Sequence, residues 1–163
     1  MDYKGKLIYN QDMKLTSLQI KRFHQFIHAN NPQIIAVYLY GSRVKGYAIK
    51  SSDTDIGVVV DSRDELENER EIVFQISNAL PFKNSDVRII DIKSAKIYVR
   101  NVIKNGKVLY VRSESDRIRF ETKAMKLFYD QSYLRKIYEH FLYKQIKEDK
   151  YGRGQTDLTE ALR

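Results

Sequence analysis

Gly41-Ser42-Arg43-Val44-Lys45-Gly46-Tyr47-Ala48-Ile49-Lys50-Ser51-Ser52-Asp53-Thr54-Asp55 is the stretch whose reading decides the fold. It follows Ile34 to Tyr40, a short apolar run rich in β-formers, as expected of a strand covered on both faces. The run stops abruptly at Gly41-Ser42, where glycine lets another group approach the backbone closely. A helix starting there would aim its unpaired N–H groups and the Ser42 hydroxyl at whatever lies above the strand end, and phosphate suits such a place. Asp53 and Asp55 stand two apart, so on an extended chain both side chains leave the same face. Close carboxylates raise each other's pKa unless a cation lies between them. An all-oxygen pair suits Mg²⁺, which takes one or two carboxylates plus substrate phosphates. An isolated Gly-Ser is a plain turn, and an isolated Asp-x-Asp is a turn or a helix cap. Joined behind an apolar strand, and ahead of Ile56 to Val60, they imply phosphoryl or nucleotidyl transfer.

Outward from this stretch, strands alternate with helices. Leu15 to His28 reads as an amphipathic helix capped by Thr16 or Ser17 and stopped by Asn30-Asn31-Pro32. Asp55 to Val60 reads as the second strand, and Arg63 to Leu80 as a helix closed by Pro81. Val87 to Ile92 is a third strand; Ala95 to Lys104 is a short helix ended by Asn105-Gly106; Lys107 to Val111 is a short edge strand. Ser115 to Asp149 has helical periodicity, with a break near Asp130-Gln131-Ser132. The alternation argues for an α/β (α+β) domain with a mixed central sheet flanked by helices, plus a C-terminal helical extension. We place the sheet domain at 1–112, the extension at 113–150, and a partner-ordered or flexible tail at 151–163.

Composition narrows the function classes. The 163 residues fit one compact domain with an appended element. Cysteine is absent, which removes disulfides, thiolate metal sites and cysteine nucleophiles. No apolar run approaches the roughly 20 residues that span a bilayer, and no apolar segment follows the first residues as in a signal peptide. A cytoplasmic location is therefore expected. The net charge of +8 is spread along the chain and interleaved with acids, so no dedicated nucleic-acid surface is read from it.

The Gly-Ser, ten residues, Asp-x-Asp pattern resembles the signature of the DNA polymerase β-like nucleotidyltransferases. In finer detail, Gly41-Ser42-Arg43, Lys45-Gly46, Ala48 and Ser52-Asp53-Thr54-Asp55 resemble the minimal nucleotidyltransferases (MNT) of bacteria and archaea. The likeness continues in Ile89-Ile90-Asp91-Ile92, in Val102 to Tyr110 and in Phe128-Tyr129-Asp130, and so covers about residues 15 to 135. It implies a three-layer fold, with Asp53 and Asp55 on Mg²⁺ and ATP as substrate. Gly41, Ser42, Arg43, Lys45 and Ser52 would bind the nucleotide; Ser42 would touch the triphosphate, and Arg43 and Lys45 would neutralise its charge. Many such proteins are antitoxins paired with a HEPN-domain ribonuclease, which they silence by transferring AMP to a tyrosine. Nucleotidyltransferases for small molecules or RNA usually carry a larger substrate domain than the region after Val111 allows.

One position departs from the family pattern. Aligning Ile89-Ile90-Asp91-Ile92 on its end places Arg88 where the family carries a third carboxylate. A permanently cationic arginine can neither bind a second metal nor take a proton from the attacking hydroxyl. Asp86, two residues earlier on the same strand face, is the substitute to consider, and Asp91 would serve if a bulge turned it round. An alternative function follows from Arg88: a weakened or inactive member that neutralises its toxin by binding alone. His24 and His28 have metal-ligand spacing but no third ligand nearby, and read as a solvent-facing pair. Tyr129, Tyr133, Tyr138 and Tyr143 read as core or an intramolecular seam, with a protein-binding face as the other reading.

Overall fold

The computed structural model describes residues 15–46, 52–82 and 84–148. The middle of the diagnostic stretch, 47–51, and the tail 151–163 lie outside them. Helix α1 (Ser17–Asn30) starts because Thr16 accepts from the Gln19 N–H at 3.2 Å while the Gln19 side chain accepts from the Thr16 N–H at 2.8 Å. Then come β1 (Ile34–Tyr40), the single turn α2 (Ser42–Lys45), β2 (Thr54–Val60), α3 (Glu69–Ala79), β3 (Ser85–Ile90), α4 (Lys96–Asn105), β4 (Lys107–Val111), α5 (Glu114–Asp130) and α6 (Ser132–Lys147).

The strands form a mixed four-stranded sheet in the order β3-β2-β1-β4. β1 runs antiparallel to both β2 and β4, whereas β2 and β3 are parallel. The long apolar run of β1 is explained by its central place, with six of its seven residues buried. Alternate residues feed two cores. Val37, Leu39, Ile56 and Val58 pack under Phe23 and Ile27 of α1 and Ile72 and Ile76 of α3. On the opposite face Ala36, Tyr38, Val59 and Ile90 meet Val99 and Val102 of α4 and Phe120 and Ala124 of α5. The result is three layers, and each buried Val, Leu, Ile or Phe contributes about 1.5–3 kcal/mol through burial. Gly57 lets α4 come close: a Cβ there would lie 2.7 Å from Ile90 Cδ1 and 3.3 Å from Val102 Cγ1. The Tyr38 hydroxyl donates to Glu121 at 2.6 Å and so ties α5 to the sheet.

Several element ends differ from the expectation, each for a local reason. α3 begins at Glu69 rather than Arg63, because Asn68 caps it by accepting from the Glu71 N–H at 3.1 Å. β3 ends at Ile90, two residues early. The Asp91 side chain captures the N–H groups of Lys93 and Ser94 at 3.0 and 2.9 Å and turns the chain. The chain divides into two compact units, Met1–Leu127 and Phe128–Arg163. The first unit runs past residue 112 because Phe120 and Ala124 are buried on the sheet.

In the second unit Arg135 lies 4.0 Å over the Phe128 ring and donates to the Phe128 carbonyl at 2.9 Å. None of the α6 residues is buried, and Tyr129, Tyr133, Tyr138 and Tyr143 are all exposed, so the tyrosines are not core. No helix among the described residues is long and apolar enough to cross a membrane.

The histidine pair also needs correction, since only His28 faces solvent. The part-buried His24 Nε2 lies 2.8 Å from the Leu109 carbonyl, to which it donates, and its ring packs 5.1 Å from that of Tyr110. Burial lowers its pKa from the usual 6.5, the carbonyl contact opposing the change. Below about pH 6.5 the unfolded chain therefore takes up a proton that the folded chain resists. Stability is expected to fall as pH drops through that value and to level off below the folded pKa. Thermal melts between pH 5 and 7.5 test this, and His24→Gln should flatten the profile.

Candidate active site

The diagnostic residues meet where β1 ends and where β2 and β3 begin. Tyr40 pairs with Asp55 across β1 and β2, and Asp55 pairs with Asp86 across β2 and β3. Just past Tyr40, Gly41 takes φ +78° and ψ −154°, a backbone shape that suits glycine. Its bare Cα receives the Asp55 carboxylate: a Cβ built on Gly41 would lie 1.9 Å from Asp55 Oδ2. Glycine is needed here for two reasons, the positive φ and the packed carboxylate.

The single turn of α2 follows at once, closed by the Lys45 N–H to Gly41 O (3.3 Å) and the Gly46 N–H to Ser42 O (3.1 Å). This brings the half-buried Ser42 to the same strand end as Asp55. Arg43 folds back over the approach to Asp53. Its Nε donates to the Asp53 carbonyl at 3.2 Å, and its Nη2 donates to the Ser52 carbonyl. In this arrangement the Arg43 guanidinium shapes the chain entering Asp53, a role that the sequence had not shown. Lys45 and Asp53 are exposed, and Ser52 is half-buried.

Electrostatics couple the acids. Burial is the main cause that raises the pKa of Asp55; Asp86 and then Asp53 raise it further, and Arg88 opposes them. Asp86 is held by Arg88, whose Nε and Nη2 both donate to Asp86 Oδ2, at 3.0 and 2.8 Å. Arg88 Cζ also lies 6.0 Å from the ring centroid of Tyr98 on α4. The Tyr98 hydroxyl is 2.7 Å from that of Tyr40, and burial is the first cause that raises the pKa of both phenols. The Tyr40–Tyr98 pair was missed in the sequence, because nothing local links residues 58 apart.

Asp91 is excluded as a third carboxylate. It sits beyond the far end of β3, 3% exposed. Its oxygens accept from the backbone of Arg63, Lys93 and Ser94 and from the Ser94 hydroxyl. Despite burial its pKa is lowered, by those same hydrogen bonds. Asp86, beside Asp55, is the remaining acid on that strand. Among the described residues no group of three acidic or histidine side chains converges to hold a metal. Repulsion from Asp86 and then Asp53, added to burial, makes Asp55 a carboxylate that a nearby cation would stabilise.

Similarity to known proteins extends over the region that carries these residues. The family model described as Polymerase beta, Nucleotidyltransferase matches residues 24–115. The chain belongs to this nucleotidyltransferase family. It is 27% identical over 117 residues, 70% of this chain and 80% of the relative, to a protein adenylyltransferase, MntA, of Shewanella oneidensis. Among solved structures, a toxin–antitoxin crystal structure with AMP-PNP superimposes with a TM-score of 0.55 at 26% identity, covering 76% of this chain and 98% of that one. A structure of a tri-AMPylated Shewanella oneidensis HEPN toxin with its MNT antitoxin gives 0.51 at 25%, covering 77% and 97%.

Gly41 offers a direct check on the geometry of this nucleotidyltransferase. Gly41→Ala forces a methyl group onto the Asp55 carboxylate and strains a left-handed backbone, at about 1–3 kcal/mol. Thermal unfolding is expected to show that loss, and binding of a fluorescent ATP analogue with Mg²⁺ should weaken along with it.

Proposed function

We propose that the chain is an antitoxin that transfers AMP from ATP·Mg²⁺ to a tyrosine hydroxyl of a HEPN-domain toxin partner. The observation carrying this reading is the Asp55 carboxylate resting on Gly41, the residue before Ser42, with Asp53 two positions before Asp55 in the chain. The likeness to an adenylyltransferase and to two toxin–antitoxin structures supports the acceptor and the nucleotide. Absence of cysteine supports a cytoplasmic setting.

In this reading Asp53 and Asp55 hold Mg²⁺, which when bound supplies charge neutralisation at the phosphates. Gly41, Ser42 and Ser52 frame the nucleotide, and Lys45 faces the triphosphate. Arg43 keeps the entry to Asp53 in place through the Ser52 and Asp53 carbonyls. The tyrosine oxygen attacks the α-phosphorus. A new O–P bond forms, the bond to the bridging oxygen breaks, and pyrophosphate leaves with that electron pair. The hydroxyl proton passes to solvent or to Asp86, the acid beside Asp55.

Incubating the protein with α-labelled ATP, Mg²⁺ and the HEPN protein from the adjacent gene is the direct test. Label is expected on the partner, and Asp53→Asn or Asp55→Asn should lower its transfer by at least about 10²-fold. Asp91→Asn should behave differently. It leaves backbone N–H groups with a weaker acceptor, so it lowers the melting temperature by the equivalent of about 1–3 kcal/mol while the folded fraction still transfers label.

Arg88 on Asp86 favours a second reading, in which the protein silences its toxin by covering it. Neutralisation that survives loss of both Asp53 and Asp55, with no label on the toxin, selects that reading.

A further inference from the structure

The cation at position 88 has a defined place. Its register partner on β2 is Gly57, two positions beyond Asp55 and without a side chain of its own. The Arg88 side chain reaches back along β3 to Asp86, which faces Asp55. Tyr98 borders the guanidinium, and Tyr40, the antiparallel partner of Asp55, fixes the Tyr98 hydroxyl. A salt bridge to Asp86 and the neighbouring Tyr98 ring thus set one guanidinium beside the acids, its side chain still 58% exposed. Among the described residues its Nη1 makes no hydrogen bond, which leaves donors for an anionic oxygen.

Two-ion centres set a second divalent cation about 3.5–4 Å from the first, where it stabilises the attacking and leaving oxygens. That ion needs carboxylates to bridge it. Here Asp86 Oδ2 is already occupied by Arg88, and no trio of metal-binding side chains converges among the described residues. A positive charge nevertheless stands next to Asp55, and it is covalently part of the chain. We propose that Arg88, anchored on Asp86, takes the place of the second cation, so that the reaction centre binds a single divalent ion on Asp53 and Asp55. The proposal rests on the nucleotidyl-transfer reading above. A guanidinium suits this role because it is always charged and its fork matches phosphate oxygens. Asp86 then serves as the anchor of Arg88, which accounts for an acid and a base sharing one face of an edge strand.

Counting bound Mn²⁺ by electron paramagnetic resonance, with a non-hydrolysable ATP analogue present, tests this without relying on turnover. The wild-type chain is expected to hold one Mn²⁺ per bound analogue, and Arg88→Asp, which adds a carboxylate and removes the cation, should hold two. Arg88→Ala should still bind one ion, yet transfer AMP about 10²–10³-fold more slowly, with Arg88→Lys in between. Two ions in the wild type, or full transfer by Arg88→Ala, overturn the proposal and leave the transfer reading intact. No nucleotide-dependent Mn²⁺ in the wild type overturns both. Should Arg88→Asp fail to fold, the wild-type count and the Arg88→Ala rate still decide the matter.

Discussion

The contact on which this site depends is that of the Asp55 carboxylate with the bare Cα of Gly41. It fixes two things together. β1 must end where it does, because the next residue takes a positive φ that a strand cannot continue. Asp55 points toward the turn holding Ser42, because the glycine leaves room for it there. The antiparallel pairing of Tyr40 with Asp55 sets the register that brings them together, and the parallel pairing with Asp86 sets the third partner. A slip of one residue in either ladder would send Asp55 into the opposite core, among Leu39 and Ile56.

Gathering acids has an energetic consequence. Like charges on neighbouring strands repel by something on the order of 1–3 kcal/mol at the effective dielectric of a protein surface, and part-burial of Asp55 adds to this. The structure offsets it from two sides. Arg88 neutralises Asp86 directly, and Asp53 remains exposed, where water screens it. The remaining stress falls on Asp55, the carboxylate whose ionised form a divalent ion would stabilise most. Strain localised at the group that meets the ligand is the arrangement expected of a binding site.

How far the sequence could be read follows the range of the forces involved. β1, its neighbours and the Gly-Ser…Asp-x-Asp unit were legible because strand periodicity, glycine and paired carboxylates act within a few residues. The helix α3 was over-extended, because Asn68 caps it five residues further on and the Arg63 N–H turns to Asp91, 28 positions away, which nothing near Arg63 in sequence shows. For Arg43 the sequence suggested a nucleotide contact but could not show the Ser52 and Asp53 carbonyls that it meets, because an arginine in a polar loop carries no mark of them. The tyrosines of α6 misled for a related reason: helical spacing shows which residues share a face, but not whether anything covers it.

The two ends of β3 show how the fold separates stability from chemistry. Asp86 and Asp91 are acids on or beside one strand, five positions apart. Asp91 is buried and accepts four hydrogen bonds, which hold it ionised and pin the Arg63 loop and the chain entering α4. The Asp86 side chain is 40% exposed, and its salt-bridge partner Arg88 lies at the surface beside it. A carboxylate saturated with backbone donors cannot turn to a ligand without unravelling a turn, whereas one paired with a surface arginine keeps that cation near Asp55 at little cost in stability. Of the two, only Asp86 is in a position to take part in a reaction. The side of the sheet that carries it is the side on which Gly41 and Asp55 already lie.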